Sequence, residues 1–82
     1  MATKRTQIAA SQLREGGVDN GGTFVEYTFE RRRESGWVAR VSDDIITVQT
    51  FSGDYMVMHH VRLSSIRRVY SAAELAAIES AL

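Results

Sequence analysis

The chain has no cysteine, no proline and a single lysine. Without cysteine there is no disulfide framework and no thiolate metal site, which suits a reducing, cytoplasmic location. Without proline, turns fall to glycine, asparagine, aspartate and serine. No apolar run approaches the length of a membrane span, so no membrane partner is expected. The first residues, MATKRTQIAAS, have a basic start but lack the apolar stretch of a secretory signal. Charge of one sign is also missing: ten basic and ten acidic residues cancel. A protein coated in nucleic acid carries a strong positive excess, and this one does not.

Eighty-two residues make one domain, 1–82. A core this small gains from self-association, so a homo-oligomer is expected. Nine of the ten basic residues are arginine. The planar guanidinium fork suits phosphate, carboxylate and base edges, and a GC-rich genome gives the same bias.

Period-two alternation runs through most of the chain. Thr23–Arg31 alternates Val25, Tyr27 and Phe29 with Glu26, Thr28 and Glu30. Further strands are expected over Trp37–Ser42, Ile45–Phe51, Tyr55–Val61 and Arg67–Tyr70. Asp43-Asp44 and Ser52-Gly53-Asp54 supply tight turns, and Leu63–Ile66 one helical turn. Arg31–Gly36 reads as a charged connection and Gly16–Gly22 as a flexible linker. Thr6–Glu15 predicts a short helix ended by Gly16-Gly17. Ser71-Ala72-Ala73-Glu74 is a capping box opening a second helix to about residue 81. The pattern predicts a mainly β protein, a small strongly bent five-stranded barrel over about 23–70 with helices at about 6–15 and 72–81. Tyr55–Val61 carries apolar side chains on both faces, which predicts a cover on both sides from a helix or a second subunit.

Gly36, a strand, then Asp43 or Asp44; the apolar run Ile45–Thr50; and Met56-Val57-Met58-His59-His60-Val61 before Leu63-Ser64-Ser65-Ile66: together these resemble the Sm-like family, and within it the Hfq-type bacterial RNA chaperones. The resemblance spans roughly residues 7–69. It implies a five-stranded bent barrel behind an N-terminal helix, assembled into an RNA-binding ring with no enzymatic activity. His59 stands where that family has lysine. His60 matches its pore histidine, a contact for RNA. Arg31, Arg32, Arg33, Arg62, Arg67 and Arg68 would supply a basic rim, unless they pair with Glu26, Glu30 and Glu34 on neighbouring strands. In Sm-like rings the fourth strand pairs with the fifth of the next subunit. The resemblance therefore implies an interface at Tyr55, Met56, Val57, Met58 and Val69.

No catalytic site emerges. His59 and His60 are adjacent on a strand and point to opposite faces, so they cannot share a metal. Asp43, Asp44 and Asp54 read as turn acids, and Ser64 and Ser65 have no triad partner. No cofactor is expected. The rival reading is a barrel that serves as a protein-interaction or assembly module, of the kind phages and mobile elements encode, with a protein partner in place of RNA.

Overall fold

The computed structural model describes residues 8–81. Five antiparallel strands form one sheet: β1 (Phe24–Phe29), β2 (Arg32–Ser42), β3 (Ile45–Ser52), β4 (Tyr55–Arg62) and β5 (Ile66–Val69), in the order β4-β3-β2-β1-β5. Among the described residues one α-helix, α1 (Ala72–Ser80), follows β5. The capping box forms as its sequence requires: Glu74 N–H donates to Ser71 Oγ, and Ser71 N–H to the Glu74 carboxylate. No helix among the described residues is long and apolar enough to cross a membrane.

Strand β2 organises the sheet. Its first half, Arg32–Trp37, pairs with β1, and its second half, Trp37–Ser42, with β3. Gly36 lies at this change of partner. It is buried, and a Cβ there would run into the Gln49 carbonyl and the Val48 side chain. Only glycine lets the two backbones come so close. One face of the sheet packs over a core of Val25, Tyr27, Val38, Ile46, Val48, Val61 and Ile66, joined by Leu13. Tyr27 and Phe29 of β1 reach across it to His59 of β4, although β2 and β3 stand between those strands in the sheet.

The sheet is open. β4 and β5 lie at its two ends and share no ladder, so the closed barrel expected from the strand rhythm is not seen. The N-terminal helix is not seen either. Thr6 and Gln7 lie outside the described residues, and the rest of that span holds one 3-10 turn, Ala10–Gln12. Leu13 is extended and buried. Arg14 then exchanges hydrogen bonds with Thr23: its N–H donates to Thr23 Oγ1, and its carbonyl accepts from Thr23 N–H. A helix this short is marginal alone, and burying Leu13 draws the chain out of it.

Two loops behave differently from their composition. The glycine-rich stretch is bound to β2 and β3, with Gly17 N–H on the Val38 carbonyl and Val18 N–H on Gln49 Oε1. The charged stretch after β1 is mostly strand. The turn is only Glu30-Arg31, both at positive φ (48° and 66°), and β2 begins at Arg32.

Candidate nucleic-acid interface

The outer face of the sheet, away from the core, carries an unbroken row of aromatic rings. Register sets it out: Phe24 lies opposite Trp37, Trp37 opposite Gln49, and Phe51 is two residues along β3. Tyr70 N–H donates to the Phe24 carbonyl and brings its ring alongside. The rings meet edge to face, Tyr70 to Phe24 at 5.3 Å, Phe24 to Trp37 at 4.9 Å and Trp37 to Phe51 at 6.0 Å, the geometry that aromatic quadrupoles favour. Met56, opposite Phe51, and Met58, opposite Gln49, carry the row onto β4. Both methionines are exposed (53% and 43%), so the cover expected over the outer face of β4 is not supplied by the described residues.

Beside this row runs a line of arginines. The β1–β5 register slips between Glu26 and Tyr27, leaving Arg67 as an extra residue in β5. This bulge puts two consecutive residues on one face: Arg68 opposite Glu26, and Arg67 with its Nε donating to Thr28 Oγ1 at 3.0 Å. Arg33, opposite Thr28, completes the line. Arg33 bridges to Glu26 at 3.3 Å and Arg68 to Glu74 at 2.5 Å. Arg68 also lies over the Tyr70 ring, 4.5 Å from its centre. The hydrogen bond from Arg68 holds the Glu74 carboxyl below its ordinary range, and Glu74 raises Arg68 in turn. Arg31, Arg32, Arg62 and Arg67 make no ion pair among the described residues.

The six expected arginines therefore fall into two groups. Arg31, Arg32, Arg33, Arg67 and Arg68 gather on β5, the first half of β2 and the turn that precedes it, on either side of β1. Arg62 sits apart at the end of β4, opposite Ile45, on the outer face with His60 and Arg40. The histidines face opposite ways. His59 Nδ1 meets the Tyr27 hydroxyl at 2.8 Å, and its ring stacks on Phe29 at 3.9 Å. His60 Nδ1 meets Thr47 Oγ1 at 3.0 Å on the outer face.

Of the interface residues, Tyr55, Met56 and Met58 are exposed and Val57 half-buried. Val69 is opposite Val25 and packs on the chain's own core.

The acids and serines weighed for chemistry are not brought together. Asp43-Asp44 and Asp54 stand at opposite ends of β3, roughly 25 Å apart at ~3.3 Å per residue. Among the described residues Ser64 and Ser65 hydrogen-bond to no histidine or carboxylate side chain, and no cluster of three or more potential metal ligands occurs. A cavity of about 360 Å³, lined by Gln12, Arg14, Phe24, Tyr70, Ser71 and Leu75 among others, opens where β1 and β5 meet α1.

Arg67 and Arg68 were legible as charge, but their common face depends on a bulge. The aromatic row was hidden because its members lie on four separate segments and only strand register aligns them. No family model, curated protein or solved structure matches the chain.

Proposed function

We propose that this protein is a non-enzymatic RNA-binding protein of Sm-like type that works as an oligomer. The observation that carries the reading is the aromatic row flanked by Arg33, Arg67 and Arg68 on the outer face. Single-stranded nucleic acid is held by rings on which bases stack and cations that follow the phosphates, and this face offers both. The close backbone approach at Gly36 and the contact of β1 with β4 across the core support a barrel-like curl of the sheet. Among the described residues both outer strands have a free edge. Copies can therefore join β4 to β5, as an Sm-like ring requires, or β4 to β4.

Trp37 is the only tryptophan and stands inside the row, so its fluorescence tests the reading directly. Titration with U-rich and A-rich oligonucleotides at low salt is expected to quench it. Affinity is expected to fall as salt rises, with a log–log slope of about −0.7 per phosphate contacted. Arg67→Glu should weaken binding and flatten that slope by about one. An unquenched Trp37, with no mobility shift at low salt, would sink the reading. The assembly-module reading would then stand, favoured by zero net charge and the exposed apolar side chains of β4.

A further inference from the structure

An edge strand is usually blunted by shortness, charge, proline or a bulge. β5 is blunted in this way: it has four residues, a bulge and two arginines. β4 is not. It runs for eight residues, pairs with β3 without a break in register, and has neither proline nor lysine. Tyr55 is 78% exposed, and Met56 and Phe51 about half.

The hairpin fixes which groups this edge presents. Gly53 (φ 62°) and Asp54 form a two-residue loop closed by Ser52 opposite Tyr55. The closing pair of such a loop exchanges its backbone hydrogen bonds, and the pattern alternates from there. Tyr55, Val57, His59 and Val61 therefore turn their N–H and C=O groups toward β3. Met56, Met58, His60 and Arg62 turn theirs away from the sheet. Charge then selects the partner and the register. The two ends of this edge carry Asp54 and Arg62, which are opposite in sign. An antiparallel copy of β4 with Met58 on the two-fold axis sets Asp54 opposite Arg62 at both ends. It also sets Met56 opposite His60 and Tyr55 opposite Val61, and it matches the outward groups in phase. Moving the axis to His59 brings Met56 opposite Arg62, leaves Asp54 unmatched and faces two histidines together. β5 is only half as long as β4 and carries Arg67 and Arg68, with no carboxylate on the strand to meet Arg62.

We infer that β4 pairs with β4 of a second copy, antiparallel about Met58, joining two five-stranded sheets into one. The contact is isologous and closes at two subunits. It takes the β4-to-β4 joint in place of the β4-to-β5 joint of an Sm-like ring, and it is independent of whether RNA binds.

The absence of cysteine makes the test clean. Light scattering should give twice the 9.2 kDa chain mass. Met58→Cys should cross-link to its own copy under mild oxidation, because hydrogen-bonded partners lie about 5.5 Å apart at Cα, within disulfide reach. His59→Cys and His60→Cys should not, since each would lie two or more residues from its copy along the strand. Met58→Pro removes an outward N–H that β3 does not use, so it should give a folded monomer by circular dichroism. Asp54→Arg should weaken the dimer at least tenfold, and Asp54→Arg with Arg62→Asp should restore it. A monomeric wild type overturns the inference, as does a ring-sized particle indifferent to Met58→Pro, or cross-linking only through another position. Trp37 quenching by oligonucleotide is read on the wild type and does not bear on the Met58→Cys cross-link, so each reading can fail without the other.

Discussion

Tyr27 has no solvent exposure, and its hydroxyl meets His59 across the core. Burial, reinforced by the charge of Glu34 and partly offset by a hydrogen bond from Thr50, pushes its hydroxyl up to about 12. A phenolate there would be a buried charge beside a carboxylate. The sign follows from linkage: the folded chain holds this proton more tightly than the unfolded chain. Its contribution is therefore intact below pH 10 and is lost between about pH 10 and 12, on the order of 2–3 kcal/mol in all. Urea melts across that window should show stability falling in the wild type. In Tyr27→Phe the decline should be smaller, from a baseline lowered by about 1 kcal/mol for the missing hydrogen bond. An equal decline in both would show that Tyr27 is not the group responsible.

The turn between β1 and β2 is built from an unusual pair. Glu30 and Arg31 both adopt positive φ, where a two-residue hairpin normally places Asn-Gly. Replacing them with Asn-Gly should raise stability by about 1 kcal/mol or more, read as a shift of the urea midpoint at constant slope. No gain would mean that the turn stores no strain. This turn also explains where the sequence misled. A Glu-Arg turn carries no glycine or asparagine signal, and the first half of β2 is hydrophilic on both sides, so five residues of strand read as connection. By contrast β3, β4 and the capped helix α1 were legible to within a residue or two, because apolar alternation, a Gly-Asp turn and a capping box are local signals. The arginine and aromatic rows were not, since they are products of register and a bulge rather than of spacing along the chain.

Across the whole molecule, zero net charge and a thin core conceal an uneven surface. Arginines and aromatic rings share one region, and an apolar, unblunted edge occupies another. The strand order has a consequence in time. β1 through β4 form a meander whose three connections are two-residue turns, so those pairings close over short distances and early. β5 must return about 40 residues to reach β1. Ile66, buried opposite Tyr27, is the anchor of that return. Ile66→Ala should destabilise the protein by about 2–4 kcal/mol. Stopped-flow should place nearly all of that in faster unfolding, with the refolding rate little changed. A comparable slowing of refolding would mean that β5 docks before the rate-limiting step. Until it docks, β1 is itself an open edge. A chain emerging from the ribosome therefore exposes Phe24–Phe29 to chance partners until β5 is made, and a strand of only four residues protects one made long before it.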